Sequence, residues 1–160
     1  MCGNTGKWIG HKGTFLEGGI RVPAILSYPG KVPEGAARDQ IITAMDWYPT
    51  VLDLCGIGRS ADAPGFDGHS LLPILQSAEA PCSYEGILHF GWGNSWAVRE
   101  GEWKLIGVDP KGGGEPRMSL HRLSGEEPEK KDYGKEKPEV VERLREMGAW
   151  LQTNGESIYG

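Results

Sequence analysis

The chain has 160 residues, of which 38% are hydrophobic and 24% charged, and its formal net charge is −5 at pH 7. These values are typical of a soluble protein with one real core, and they exclude a disordered tail. They also exclude broad nucleic-acid binding, because phosphate recognition needs a concentrated basic surface that is missing here. No window approaches the ~18 apolar residues of a membrane span.

A glycine-rich loop, GHKGTFLEGGIRVP, occupies residues 10–23. Its glycines permit positive φ angles and close backbone approach. Between them lie a cation, a hydroxyl and a carboxylate: Lys12, Thr14 and Glu17. This composition is typical of a loop that cradles an anion. The β-branched and apolar residues that follow predict a strand over Ile20–Tyr28, covered on both faces in a largely parallel sheet.

Two helices are predicted in the middle of the chain. Asp46 is placed to N-cap the first helix, which Gly56 ends. Within residues 66–75, a tight Asp-Gly turn beginning at Asp67 precedes a second, short apolar helix. Both aspartates are therefore interpreted as structural rather than as catalytic acids.

The second half of the chain predicts a small antiparallel module. A shift to small residues around Pro81 predicts a boundary near residue 80, which separates an α/β body (1–80) from a sheet-plus-helix subdomain (81–160). Short alternating runs predict a meander of four strands: Gly86–Phe90, Ser95–Glu100, Trp103–Val108 and Met118–Leu123. Apolar residues at 4, 3 and 4 spacing after Pro138 then predict a packing helix: Val140, Leu144, Met147 and Leu151.

Four motifs in this sequence together resemble one known family. They are KGTxxEGGxRVP from Lys12, MDWYPT from Met45, FDGHSLLP from Phe66 and WAVREGEWKLI from Trp96. In this order they resemble the C-terminal portion of the formylglycine-dependent sulfatases, the arylsulfatase-like branch of the alkaline-phosphatase superfamily. The resemblance covers nearly the whole chain. It implies an α/β fold in which residues 1–80 are the last part of the sulfatase domain and residues 81–160 are its small antiparallel α+β module.

The resemblance implies hydrolysis of a sulfate ester, with a sulfated small molecule or carbohydrate as substrate. Lys12 maps onto the family's sulfate-contacting lysine, and a compact ammonium suits an oxyanion whose charge grows on the leaving oxygen. A surface lysine in a glycine loop is the alternative. His11 is a candidate proton donor to the leaving alcohol or a structural histidine. Glu17 and Arg21 are interpreted as scaffold that holds Lys12 in place.

The resemblance further implies a calcium ion and a formylglycine nucleophile in the complete enzyme, and neither is expected to bind to or form on this chain alone. Asn4 is the only candidate metal ligand, and a solvated loop asparagine is the alternative. Neither Cys55 nor Cys82 is followed by the family's proline-containing nucleophile motif. The chain is therefore expected to be an inactive fragment whose partner is the missing N-terminal part of the same enzyme. The family is usually secreted, periplasmic or lysosomal.

One loop of the small module is a candidate substrate contact. His89, Trp92 and Asn94 are suited to stack on and hydrogen-bond a sugar ring, and Arg99 follows in the next strand. The alternative is an aromatic loop that closes an interface with the main domain. Two other functions also stay open: a phosphodiesterase or phosphonate hydrolase of the same superfamily, and a non-catalytic binding or accessory module.

Overall fold

The structure is a computed structural model that describes residues 4–58, 64–84 and 87–154. Its helices are α1 (Glu17–Ile20), a 3-10 turn (Ala44–Asp46), α2 (Trp47–Cys55), α3 (Leu72–Gln76) and α4 (Pro138–Asn154); its strands are β1 (Ile87–Trp92), β2 (Ser95–Glu100), β3 (Trp103–Val108) and β4 (Arg117–Arg122). No helix in these ranges is both long and apolar enough to cross a membrane.

The chain divides into two compact units. One contains α1, the four strands and α4, and the other contains the 3-10 turn, α2 and α3, with divisions after Pro23 and before Ile87. The stretch that carries Lys12 therefore belongs to the same unit as the sheet. The boundary predicted near residue 80 concerns the domains of a larger enzyme and stays a prediction.

The four strands form one antiparallel sheet in the order β1-β2-β3-β4. In its centre Val98 lies opposite Leu105, which in turn lies opposite Leu120. The β1–β2 and β2–β3 hairpins each turn through a glycine with positive φ, Gly93 at 60° and Gly101 at 56°, as tight hairpin turns require. The predicted meander is confirmed, and β2 and β3 have their predicted bounds.

Helix α4 covers one face of this sheet. The buried core between them consists of Trp96, Val98, Leu105, Leu120, Val140 and Leu144. Gly148 allows the helix to approach closely, because a Cβ there would lie only 3.2 Å from the Trp96 ring and from Val98. Each fully buried leucine stabilises this packing by about 1.5–3 kcal/mol relative to exposure. The predicted packing helix is thus confirmed.

The opposite face of the sheet is covered by the N-terminal segment. Strand alternation places Ala97 and Arg99 on this face, and Ala97 is fully buried. Phe15 contacts Phe90 here, with ring centroids 6.2 Å apart. The alternation of β2 places Trp96 on the face that α4 covers and the Arg99 guanidinium on this one. Both faces are in fact covered, because the segment before α1 packs on the second one.

The strand predicted over Ile20–Tyr28 is not formed. Helix α1 takes its first residue, and Arg21 N donates to Glu17 O at 2.8 Å to close that helix. The rest of the stretch has no helix or strand, and it leaves Val22 82% and Ile25 91% exposed. A strand needs a neighbour to accept its backbone hydrogen bonds, and no described strand lies beside this one. The apolar side chains of Val22 and Ile25 are therefore left exposed to solvent.

A buried carboxylate organises the unit that contains α2. Asp46 Oδ2 accepts from Thr43 N at 2.6 Å, Oδ1 accepts from His69 N at 2.8 Å, and the Tyr84 hydroxyl also donates to Oδ1. Burial together with the Asp46 carboxylate raises the pKa of Tyr84 to about 12, so the phenol remains a donor at neutral pH. Asp46 makes no side-chain bond that caps α2. Asp46 directly precedes α2, as predicted, but its side chain does not cap this helix because it binds Thr43, His69 and Tyr84 instead.

Candidate functional site

Lys12 lies in a short turn that its neighbours close. Thr14 N and the Thr14 hydroxyl both donate to His11 O, at 3.0 and 2.8 Å. The same hydroxyl oxygen accepts from His11 N at 3.2 Å. We call residues 10–14 the Lys12 turn. Lys12 itself is exposed, so a well-closed backbone presents an ammonium group to solvent.

His11 has a local partner for one ring nitrogen. Its Nδ1 lies 2.9 Å from the carbonyl oxygen of Lys12. When Nδ1 carries the proton and donates it to this carbonyl, Nε2 is the nitrogen that remains for a second role. The arrangement fixes the imidazole beside Lys12, and its use as a proton donor stays a prediction.

The Lys12 turn packs directly on α1 through two glycines. Gly18 N donates to the carbonyl of Ile9 at 2.8 Å. A Cβ at Gly19 would lie 2.5 Å from His11 O, which is closer than real Cβ atoms come to backbone oxygens. Glycine is therefore required where the two segments meet. The position of α1 consequently sets the position of the Lys12 turn.

Beneath α1 lies a buried cluster of three charged residues, which we call the ionic triad: Glu17, Lys104 and Glu129. Glu17 and Lys104 are fully buried and Glu129 is 2% exposed. Lys104 Nζ lies 2.5 Å from Glu17 Oε1 and 2.8 Å from Glu129 Oε1, and it donates to Phe15 O at 2.9 Å. The contacts with Glu129 and Phe15 are hydrogen bonds, and the contact with Glu17 Oε1 is an ion pair.

Two arginines also approach Glu17. Arg21 forms a salt bridge with Glu17 Oε2 and stacks on Trp8, with its Cζ 4.0 Å from the ring centroid. Arg99 Nη1 lies 3.8 Å from the same carboxylate oxygen. Burial on its own raises the pKa of Glu17, but the hydrogen bonds and charges of Lys104 and Arg21 outweigh it and hold that pKa below its usual range. Glu17 is thus an ionised anchor at neutral pH.

The four predicted substrate contacts do not converge. Trp92 is 83% exposed, and Asn94 Nδ2 donates to Asp109 O at 2.6 Å. His89 lies on the sheet face that α4 covers, whereas Arg99 lies on the opposite face. A substrate role for these residues stays a prediction, and the exposed Trp92 ring is the one best placed to stack on a ligand.

His89 is held in an environment that disfavours its charged form. Its Nδ1 is buried and makes no hydrogen bond within the described residues, and burial lowers the pKa of the ring. A half-buried, neutral imidazole is therefore favoured on the sheet face that carries Val98.

The predicted metal ligand Asn4 is occupied locally. It is exposed, and its Oδ1 accepts from Gly6 N at 2.8 Å, the side-chain-to-backbone bond typical of a loop asparagine. Across residues 4–58, 64–84 and 87–154, no three His, Cys, Asp or Glu side chains lie close enough together to hold a metal ion. Calcium takes six to eight oxygen ligands, so these donors do not fit such a site by themselves.

Two residues of the ionic triad escaped the reasoning from sequence. Lys104 interrupts the otherwise apolar strand WKLIGV. A lysine within an apolar strand is unusual, so the sequence alone could have marked Lys104 as a candidate. Glu129 lies in a charged connection where nothing distinguishes it from its neighbours. Its contact with Glu17 N, at 2.7 Å, joins residues 112 positions apart, a pairing that local patterns do not reveal.

Comparison with known families places the chain. A family model described as N-sulphoglucosamine sulphohydrolase, C-terminal, matches residues 7–108. The matched range begins before the Lys12 turn and ends at the last residue of β3. It therefore includes α1, Glu17 and Lys104, and it leaves out Glu129.

Curated relatives agree with the family model. Arylsulfatase D of Homo sapiens is 43% identical over 91 residues, which cover 56% of this chain and 15% of that protein. An uncharacterized sulfatase of Schizosaccharomyces pombe is 31% identical over 163 aligned positions, covering 91% of this chain and 27% of the relative. Steryl-sulfatase of Mus musculus is 31% identical over 121 residues, covering 69% and 18%. The chain thus spans 15–27% of these relatives. Since the family model covers more than half of it, the chain belongs to the sulfatase family and matches its C-terminal portion.

Proposed function

We propose that this chain is the C-terminal part of a sulfuric ester hydrolase in which Lys12 contacts the sulfate group of the substrate. The observation that supports this role is the exposed ammonium on a closed turn, itself held by α1 inside the range that the sulfatase model matches. The ammonium carries three donors and a fixed positive charge. Such a group favours an oxyanion that gains charge as the ester bond breaks.

The residues of this chain would supply binding and positioning in that reaction. Lys12 donates to the sulfate oxygens and neutralises charge on the leaving oxygen. His11 would act in its doubly protonated form, keeping the Nδ1 proton on the Lys12 carbonyl and passing the Nε2 proton to the departing alcohol, which leaves a neutral ring. In the complete enzyme a calcium ion and a formylglycine would supply charge neutralisation and the nucleophile. The described donors do not fit a calcium site, so the proposal assigns this chain no metal-dependent step.

The substrate class follows from the same proposal. The curated relatives are named for aryl and steryl sulfates, which differ in the alcohol but share the sulfate group. We infer that the substrate is a sulfated small molecule or carbohydrate, and that Trp92 offers a stacking surface for its ring. A panel of aryl, steryl and sugar sulfates, assayed with Trp92→Ala beside the wild type, tests this. An equal loss of activity on all substrates would show that Trp92 does not determine substrate specificity.

The decisive experiment is Lys12→Ala in the complete enzyme that carries this segment. We expect kcat/KM for an aryl sulfate to fall more than about ten-fold, since one donor to a developing oxyanion contributes roughly 2–4 kcal/mol. Lys111→Ala is the matched control, because Lys111 is also an exposed lysine beside glycine. A negligible loss for Lys12→Ala would reduce this residue to a loop lysine. An aryl phosphate turned over in preference to the sulfate would favour the phosphodiesterase alternative.

A further inference from the structure

We propose that Lys104 is the positioning residue of the Lys12 turn and that it acts through the ionic triad. This inference rests on the proposed role of Lys12 as a sulfate contact. It assigns a function to the sheet module, namely to hold from beneath the loop that meets the substrate. The residues involved lie in one compact unit, so the coupling can be followed contact by contact.

The first step joins the sheet to α1. Lys104 extends from β3 on the face opposite α4, and its ammonium reaches Glu17 Oε1 at 2.5 Å and Phe15 O at 2.9 Å. One side chain of the sheet therefore contacts both the first residue of α1 and the segment just before it. The lysine is fully buried, so water does not compete for these contacts.

The second step fixes α1 from another direction. Glu129 uses both carboxylate oxygens, since Oε1 accepts from Lys104 at 2.8 Å and Oε2 accepts from Glu17 N at 2.7 Å. Its backbone has φ 62°, an uncommon left-handed conformation for a residue with a side chain. Glu129 N also donates to Arg122 O at 2.9 Å. The chain after β4 is thereby held so that a carboxylate reaches the start of α1.

The third step passes from α1 to the Lys12 turn. Gly18 N donates to Ile9 O at 2.8 Å, and Gly19 leaves no room for a Cβ beside His11 O. A shift of α1 would therefore move or release the turn. Partners that orient the ligands of a metal ion typically change activity by about 10–100-fold when removed, and we expect an effect of that order for the partners of the Lys12 turn.

The test compares two triad variants with a matched core variant in this chain. Glu129→Gln keeps one carbonyl oxygen and so cannot satisfy Lys104 and Glu17 N together. Lys104→Arg keeps the charge but replaces a compact ammonium with a planar fork. The control, Leu144→Ala, destabilises the same unit from the other sheet face. Amide order parameters and hydrogen exchange for residues 9–19 are measured alongside those of β2 and β3, under conditions where each variant is folded.

We expect both triad variants to lower the order parameters of residues 9–19 while those of β2 and β3 keep their wild-type values, and Leu144→Ala to leave the order parameters of the turn unchanged. Equal loosening by Leu144→Ala, or an ordered turn in both triad variants, would overturn the inference. If neither triad variant folds, the wild type decides: residues 9–19 should open together with β3, and earlier independent opening contradicts the coupling.

The kinetic arm separates this inference from the proposed function. In the complete enzyme, Glu129→Gln should lower kcat/KM for an aryl sulfate about 10-fold or more, with Leu144→Ala near the wild-type value. A silent Lys12→Ala would refute the sulfate contact even where the loop measurements support positioning. A damaging Lys12→Ala with a silent Glu129→Gln would refute the positioning alone.

Discussion

At the scale of single residues, the placement of charge around Glu17 decides how the N-terminal segment is held. Taking a carboxylate out of water is costly, and removing one member of a buried ion pair leaves the other uncompensated. For Glu17, the positive charges of Lys104, Arg21 and the nearby Arg99 offset this cost. The charges of the triad itself sum to minus one, and the arginines offset the excess. The anchor therefore depends on Glu17 being ionised.

The first prediction concerns the pH dependence of this anchor. The folded-state pKa of Glu17 lies below its ordinary value of 4.5, so its contribution to stability is fully present above that value. It is lost as the pH falls through the folded-state pKa. We expect Glu17→Gln to cost about 1.5–3 kcal/mol at pH 7, the range for hydrogen bonds to charged groups, and the gap to wild type to narrow as the pH falls below 4.5.

Urea unfolding from pH 7 to pH 3 measures this dependence. Glu146→Gln serves as the control, because Glu146 is an exposed glutamate on α4 in the same unit, and its effect should stay small throughout. A constant gap between Glu17→Gln and wild type over this pH range would show that the Glu17 charge does not stabilise the fold.

Single residues also show where sequence reasoning ends. The scaffold role predicted for Glu17 agrees with its buried ion pairs, whereas the sulfate contact at Lys12 is implied by the family resemblance and stays a prediction. The partners of Glu17 do not follow from local composition, because burial of Lys104 depends on what packs over the sheet. Local alternation identifies the face on which a side chain lies, and only the tertiary fold identifies what covers that face.

At the scale of elements, the strands were the easiest to predict and the Ile20–Tyr28 stretch the hardest. Alternation and hairpin glycines define β2 and β3 from local sequence alone. A strand predicted from an unbroken apolar run depends instead on neighbours that the run does not contain. Without neighbouring strands, the glycines and the buried carboxylate of Glu17 form the single helical turn α1. The residues after it have no strand with which to pair their backbone hydrogen bonds.

The second prediction tests the contact between α1 and the Lys12 turn. Gly19→Ala should destabilise the fold by about 1–3 kcal/mol through overpacking, since its Cβ would lie 2.4 Å from Thr14 O and 2.5 Å from His11 O. Both are backbone atoms, so rotamer changes cannot relieve the clash. Gly91→Ala is the control, because a Cβ there meets nothing within 4 Å.

Thermal unfolding and amide shifts of residues 10–14 provide the measurement. Gly19→Ala should displace the shifts of the turn and lower Tm, while Gly91→Ala changes neither. A Gly19→Ala protein with native shifts and native Tm would mean that α1 and the turn are not in the described contact.

At the scale of the whole molecule, the four-stranded sheet, α4 and the Lys12 segment form one compact unit. The sequence contains no Cys-x-Pro-Ser/Thr-Arg nucleophile motif, and its described residues assemble no metal cluster. We therefore predict that the purified 160-residue protein shows no aryl sulfatase activity. Turnover above that of a Lys12→Ala preparation would contradict the proposal that the nucleophile comes from elsewhere.

The last prediction concerns the bare apolar stretch after α1. Val22 and Ile25 are 82% and 91% exposed, and such unpaired backbone beside apolar side chains is a template for association. We expect the chain on its own to self-associate through this stretch or to show fast amide exchange across Ile20–Tyr28. The sheet and α4 should exchange slowly, because their hydrogen bonds and core are complete.

Hydrogen exchange combined with sedimentation tests this expectation. The double substitution Val22→Lys with Ile25→Lys should suppress any association. It should not change protection in β2 and β3, because neither side chain belongs to the core between the sheet and α4. Slow exchange across Ile20–Tyr28 in a protein that sediments as a monomer would show that the chain completes its own sheet. The view of this chain as one part of a larger α/β enzyme would then be wrong, since the exposed run would need no further strand to cover it.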